Sequence, residues 1–286
     1  MAFLVDLHLH TTASDGRLEP KDLIRLLIRQ GLRLVAITDH DSLEGIDEAR
    51  LEASKHPQLN LIPGIEITAS TSDGEAHILG YGMDTSDKGL QDILLGFRND
   101  REVRAREMVD KLNFIGIGIA WSRVAELAEG AAVTRPHVAL AMVEAGYVTS
   151  IGDAFSKYIG NSGPAYVSRE HLGIQDAIKL ITTFGGLPVL AHPARYVKNL
   201  EDKLPDLTKS GLIGMEVFYK DYTDAEVKYL LDLSKEYHLV AAGGSDYHAN
   251  GTPDEVLPGT VGPAMGDILD MMKPFLDTHL RKQLND

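Results

Sequence analysis

Cysteine is absent from this sequence of 286 residues. Its absence excludes disulfide bonds, thiolate metal ligands and a cysteine nucleophile, and it makes the cytoplasm the expected compartment. Long hydrophobic runs are missing too, because no uninterrupted apolar stretch approaches the roughly 18 residues that a membrane span needs. The first residues show no basic segment followed by a long apolar one, so we expect no secretory signal.

Positive charge is scarce. Lysine and arginine together number 28, against 42 acidic residues, and the formal net charge is -14. A protein that grips long nucleic acid usually carries a basic face, so we expect no long duplex nucleic acid as a partner. Any phosphate-bearing ligand has to be met locally, by metal ions or a few arginines. The hydrophobic fraction of 44% is sufficient for a folded core.

Seven short apolar runs alternate with amphipathic helical stretches, a pattern typical of βα units. They cover residues 3–9, 32–39, 59–67, 76–82, 187–192, 213–218 and 239–246. Between about 90 and 165 the sequence instead indicates helices with few strand signals. We therefore predict an α/β barrel in two parts, residues 1–92 and 168–286, with a mostly helical insertion domain at 93–167.

Imidazoles and carboxylates follow the apolar runs at nearly every predicted strand end. His8 and His10 are two residues apart, so in a strand their side chains would point to one face. In a parallel βα barrel the carboxyl ends of the strands meet at one mouth. His77 begins its run rather than ending it, which predicts an antiparallel or irregular strand. The candidate ligands are His8, His10, Asp15, His40, Glu66, His77, His192, Asp246 and His248.

A metal centre explains this pattern better than nine unrelated groups do. A single buried histidine is more often a core residue bonded to a carbonyl, but clustering so many without a cation is costly through desolvation and like-charge repulsion. Imidazole and carboxylate together suit Mn, Zn or Fe. At about three or four protein ligands per metal, nine ligands supply two or three divalent ions.

Six separated motifs resemble those of the polymerase-and-histidinol-phosphatase (PHP) family: DLHLHTTASDG, ITDHD, PGIEIT, HILGYG, LAHP and GGSDYH. They occur in the family's order between residues 6 and 248. The resemblance implies a distorted (β/α)7-type barrel, the PHP fold, and metal-dependent phosphoesterase activity. It extends to the subgroup that acts on small 3′,5′-nucleoside bisphosphates and on the 5′ ends of short RNA.

The resemblance also implies a trinuclear site, with a hydroxide bridging the first two metals as the nucleophile. His8, His10, Glu66 and Asp246 would hold the first metal, and Glu66 would bridge to a second. The second metal's other ligands would be His77 and His192, while the third metal's would be Asp15, His40 and His248. We expect the catalytic residues to be His8, His10, Glu66, His192 and Asp246.

Four residues are candidates for substrate binding. Arg135 and His137 begin a helix in the insertion, where free backbone N–H groups favour anions. Arg195 follows a predicted ligand, and Tyr166 could stack on or bond to the substrate. For both arginines, a role in a surface salt bridge is as good an interpretation as substrate binding.

Charged residues near the motifs have two readings. The stripe Arg98, Arg101, Arg104 and Arg106 is interleaved with acids and predicts a solvated helix face. Glu216 could face the mouth, although the end of a core strand is the simpler interpretation. Three aspartates beside predicted ligands either orient imidazoles or serve as strand-end caps: Asp6, Asp39 and Asp41.

Two alternative functions stay open from the sequence. One is a histidinol-phosphate phosphatase, or a phosphatase for another small metabolite, with the same site. The other is a metal- or nucleotide-binding module without catalysis. The oligomeric state is left open.

Overall fold

A computed structural model describes residues 4–71, 74–128, 133–168, 172–252 and 255–272. Seven strands form a single sheet whose spatial order follows the chain. The strands are β1 (Val5–Asp6), β2 (Leu34–Ile37), β3 (Asn60–Thr71), β4 (Gly74–Tyr81), β5 (Leu187–Ala191), β6 (Gly214–Tyr219) and β7 (Val240–Gly244).

The sheet curls into a nearly closed barrel. Six strands run parallel to at least one neighbour, whereas β4 is antiparallel to both β3 and β5. An isolated parallel bridge between Leu9 and Tyr247 joins the chain after β1 to the chain after β7. The predicted α/β barrel is confirmed, and so is the expectation that the strand carrying His77 is antiparallel.

Helices cover the outside of the barrel. In the helix Pro20–Arg29, Leu23, Ile24 and Leu27 are fully buried, as the spacing of its apolar residues requires. Thr223 and Glu226 form a capping box at the start of the helix Asp224–Glu236. The barrel helices are α1 (Pro20–Arg29), α2 (Ile46–Ala53), α7 (Ile174–Thr183), α8 (Pro193–Tyr196), α9 (Leu200–Lys209), α10 (Asp224–Glu236) and α11 (Met265–Met272).

The segment between β4 and α7 is helical and has a hydrophobic cluster of its own. Its elements are α3 (Lys88–Phe114), α4 (Trp121–Leu127), α5 (Arg135–Glu144), α6 (Ile151–Ala154) and a π-helical turn (Phe155–Ile159). Leu112 of α3, Val124 of α4 and Met142 of α5 meet in that cluster. Leu90 and Leu94, near the start of α3, pack in the barrel's core instead. Helix α3 therefore runs unbroken across the boundary predicted at residues 92 and 93, and the domain division stays a prediction.

None of the described helices is long and apolar enough to cross a membrane.

Candidate metal centre

The nine candidate ligands come together at one mouth of the barrel. His8 and His10 follow β1, His40 follows β2 and His192 follows β5. Neighbouring imidazole rings lie close together: the ring centroids of His8 and His10 are 5.2 Å apart, and those of His10 and His40 are 4.8 Å apart. Glu66 lies in β3 and His77 in the antiparallel β4, so their side chains reach the cluster from within strands rather than from strand ends.

Glu66 is the central carboxylate of this cluster. Its Oε2 lies 3.3 Å from Nε2 of both His8 and His10, which shows that these two side chains converge as their spacing predicted. Its Oε1 lies 2.8 Å from His77 Nδ1 and 3.0 Å from His192 Nε2. His40 Nδ1 also lies 3.0 Å from Oε2, so one buried carboxylate faces three imidazoles through one oxygen and two through the other, as a ligand shared by cations would.

Two aspartates complete the ring of acids. Asp246 Oδ1 lies 3.1 Å from His10 Nε2 and 3.4 Å from His8 Nε2. Asp15 Oδ1 lies 3.4 Å from His248 Nε2. Asp246 and His192 have φ of +50° and +29°, in a region that residues other than glycine rarely occupy. Such strain costs about 1–3 kcal/mol per residue and is concentrated at functional sites.

Three groups of ligand atoms are each compact enough to hold an ion, since the atoms within a group lie within 4.8 Å of one another. The groups are His10, Asp15, His40 and His248, then His8, His10 and Glu66, and finally His40, Glu66 and His77. They overlap the predicted sets but share His10 and His40, so the assignment of each ligand to one metal stays a prediction.

Several polar atoms here are buried without a hydrogen-bond partner in the described part of the chain. They are Nε2 of His8 and of His10, both carboxylate oxygens of Asp15, and Nδ1 of His40. A buried polar atom left without a hydrogen bond costs roughly 1–3 kcal/mol in desolvation. Divalent cations would satisfy all of them, so the residues fit a metal centre.

The electrostatics of the cluster point the same way. Burial alone would lower the pKa of His10, but Asp246 and Glu66 outweigh it and raise that pKa to about 10. Burial would raise the pKa of Glu66, yet the surrounding histidines, with His40 and His77 foremost, hold it well below its usual value. The acids of the cluster thus attract positive charge strongly, and a divalent cation can supply it in place of protons.

A cavity of about 150 Å³ opens over the cluster, and arginines from the insertion form its opposite wall. Arg101 and Arg104 come from α3 and Arg135 from α5. The expectation that Arg101 and Arg104 lie on a solvated face was wrong, because only 7% and 8% of them is exposed. They are three residues apart and share one helix face, which packs on the barrel instead of facing water.

Carboxylates of the barrel hold these arginines in place. Arg101 Nε donates to Asp41 Oδ2 at 2.6 Å, and Arg135 Nη2 donates to Glu75 Oε2 at 2.7 Å. Arg104 also pairs with Glu75. Three guanidinium groups therefore face two carboxylates, and the wall keeps one positive charge for an anionic ligand. Glu75 was not among the predicted site residues, although it is two residues before His77 in the same strand and so points to the same face.

The other predicted substrate-binding residues differ in position. Tyr166 donates from its hydroxyl to Glu75 Oε1 at 3.3 Å. His137 accepts the backbone N–H of Thr134 at 3.0 Å, which caps α5, and its side chain borders a neighbouring cavity. Arg195 pairs with Asp221 and Glu226 at 3.0 and 2.6 Å and, within the described residues, does not line the cavity over the cluster. Arg135 is thus the predicted arginine that the structure brings to the cluster.

Of the three aspartates beside the ligands, Asp6 and Asp39 form no hydrogen bond to an imidazole among the described residues. Asp6 accepts backbone N–H groups of His8, Ser245 and Gly259. Asp39 accepts hydrogen bonds from Thr11 and from the Ser14 hydroxyl. Outside the nine candidate ligands, a carboxylate that bonds to an imidazole is Glu216, whose two oxygens both lie 3.1 Å from His8 Nδ1.

Comparison with known proteins gives consistent matches. The PHP domain model matches residues 6–209. The 5′-3′ exoribonuclease Rnm of Salmonella typhimurium is 37% identical over 251 residues, 86% of each chain. The 3′,5′-nucleoside bisphosphate phosphatase of Chromobacterium violaceum is 33% identical over 259 residues, 86% of this chain and 88% of that one. The crystal structure of a candidate metal-dependent phosphoesterase from Bifidobacterium adolescentis has a TM-score of 0.85 at 28% identity, covering 96% of this chain and 97% of its own.

Proposed function

The chain belongs to the PHP domain family, which confirms the resemblance inferred from its motifs, and from this premise we propose its reaction. The protein is a metal-dependent phosphoesterase that removes phosphate from 3′,5′-nucleoside bisphosphates and acts on the 5′ ends of short RNA. The observation that carries the proposal is one cavity in which a metal-ligand cluster faces three arginines. Relatives named as an exoribonuclease and as a bisphosphate phosphatase, similar along most of the chain, support this substrate class.

We propose that two or three divalent ions, Mn, Zn or Fe, occupy the cluster. His8, His10, Glu66 and Asp246 would hold one, and Glu66 would share a second with His77 and His192. Asp15, His40 and His248 would hold the third. Bound together, such ions lower the pKa of a water molecule and neutralise charge on the phosphate that it attacks.

The chain's own residues orient the substrate. Arg135 and its neighbours on α3 present planar N–H groups, which match phosphate oxygens in two-point contacts. Glu75 holds Arg104 and Arg135 in one orientation before the ligand arrives, so less conformational freedom is lost on binding.

The test is hydrolysis of a panel of substrates with Mn²⁺, Zn²⁺ and Fe²⁺ in turn, followed as inorganic phosphate from the phosphomonoesters and as mononucleotide or phosphate from the short RNA. We expect adenosine 3′,5′-bisphosphate and 5′-phosphorylated short RNA to be hydrolysed far faster than histidinol phosphate. A clear preference for histidinol phosphate would contradict the proposed substrate. Bound metal without hydrolysis of any phosphoester would instead support the non-catalytic module.

A further inference from the structure

Glu216 is a fully buried carboxylate on β6. Both of its oxygens lie 3.1 Å from Nδ1 of His8, and Oε2 also accepts the backbone N–H of His192 at 2.8 Å. No lysine or arginine among the described residues pairs with it. A buried charge of this kind is costly unless its hydrogen bonds are worth the desolvation. The hydrogen-bond partners of Glu216 are two predicted metal ligands, His8 and His192, which follow different strands.

The contact with Glu216 bears on which nitrogen of His8 carries a proton. An ionised Glu216 would only accept hydrogen bonds, and Nδ1 of His8 would then be the donor. The lone pair of a neutral His8 is then on Nε2, which faces Glu66 Oε2 at 3.3 Å and Asp246 Oδ1 at 3.4 Å. That Nε2 atom is one of the buried atoms without a hydrogen-bond partner in the described residues.

The second contact holds a strained backbone. His192 has a φ of +29°, and its N–H points at Glu216 while its Nε2 lies 3.0 Å from Glu66 Oε1. Losing the acceptor would leave a buried N–H unsatisfied at a residue that is already strained. One side chain therefore supports His8 on the Oε2 side of Glu66 and His192 on its Oε1 side.

We propose that Glu216 is a positioning residue that keeps His8 protonated at Nδ1 and His192 in its strained conformation, so that one carboxylate prepares the ligands of both metals bridged by Glu66. The inference rests on the metal set of the proposed function. It goes further, because it names a residue outside that set on which metal affinity depends. If Glu216 were only a core residue, its substitution would lower the stability of the protein without moving the proton of His8.

The variant Glu216→Gln tests this closely, since an amide has nearly the same shape. Its NH2 group at the Oε2 position would face the N–H of His192, donor against donor. At the Oε1 position it would donate to His8 Nδ1 and favour the proton on Nε2, the atom needed by the metal. Removing such outer partners typically lowers metal affinity about 10- to 100-fold, and we expect Zn²⁺ and Mn²⁺ affinities to fall by that factor.

Asp6→Asn is the matched control. Asp6 is also fully buried beside the cluster, but among the described residues it forms no hydrogen bond to an imidazole. We expect it to lower stability while His8 keeps its Nδ1 proton. Nitrogen-15 NMR of histidine-labelled protein reports that proton, with the His8 signals assigned by their loss in His8→Gln.

The proposal is overturned if Nδ1 of His8 carries no proton in the wild-type protein, or if Glu216→Gln binds Zn²⁺ and Mn²⁺ as tightly as the wild type. The NMR measurement needs only the wild-type chain, so a missing Nδ1 proton overturns the proposal even if the variant does not fold. A wild-type protein that binds no divalent metal refutes the proposed function. The Nδ1 proton, read in that same protein, still supports or overturns the role of Glu216 in setting the tautomer.

Discussion

Breaking the buried pair between Asp41 and Arg101 should destabilise the protein by about 3–5 kcal/mol, the usual cost of removing one partner from such a pair. Asp41 is 2% exposed and Arg101 is 7% exposed. Two unit charges about 4 Å apart interact by about 4 kcal/mol at an effective dielectric constant near 20, which agrees with that range. In Asp41→Asn the amide can still accept the Thr68 N–H, but its NH2 group would face the Nε–H of Arg101.

Urea unfolding in EDTA measures this loss without a contribution from metal release. Glu44→Gln is the matched control. Glu44 pairs at 2.6 Å with Arg98, which is one turn before Arg101 on α3, but this pair is at the surface, where Glu44 is 60% exposed. Exposed pairs contribute about 0–1 kcal/mol, so the control should be nearly neutral. If the free energy of unfolding falls no more in Asp41→Asn than in Glu44→Gln, the buried pair does not stabilise the packing of α3 on the barrel.

Four further results are expected. His10→Ala and Asp246→Ala should abolish turnover and reduce the bound metal measured by elemental analysis, while the circular dichroism spectrum stays unchanged. Variants that keep the metal content and the rate of the wild type would refute the ligand set. Arg135→Ala should raise KM for a nucleoside bisphosphate about tenfold, the equivalent of about 1.4 kcal/mol, and an equal loss on an aryl phosphate would place Arg135 elsewhere. Arg195→Ala should leave kcat/KM within about twofold of the wild-type value, because the guanidinium of Arg195 pairs with Asp221 and Glu226. A large loss of kcat/KM would indicate that Arg195 does bind the substrate. Chelation should abolish activity. Removing an ion that is present at about 100 times its Kd should also lower the free energy of unfolding by about 2.7 kcal/mol. A urea midpoint that does not depend on metal would count against the site.

The sequence predicted the barrel and the convergence of its polar strand ends because both follow from local rules. Alternation within a strand places His8 and His10 on one face, and parallel βα order brings strand ends to one mouth. The position of His77 at the beginning of its run likewise indicated the antiparallel β4. Each inference needed only neighbouring residues and the order of the elements.

What the sequence did not predict depends on contacts between distant segments. The charges of α3 alternate in sign, and only its packing on the barrel decides that Arg101 and Arg104 are buried beside Asp41 and Glu75. Glu216 could equally have been a core strand end, because the residues it contacts are 208 and 24 positions away in the chain. Such pairings carry no periodic signal.

The charge of the cavity also explains how an acidic protein can attract phosphate. The formal net charge of -14 is spread over the whole molecule, and at physiological salt exposed charges are screened beyond about 8 Å. A phosphate inside the cavity therefore responds mainly to the groups that line it. There, Arg101, Arg104 and Arg135 outnumber their two carboxylate partners by one, and two or three divalent ions would more than neutralise the acids of the cluster that also line the cavity, Asp15, Glu66 and Asp246. Selectivity for phosphate then depends on local charge, which is why neutralising Arg135 should affect the substrate with two phosphates more than one with a single phosphate.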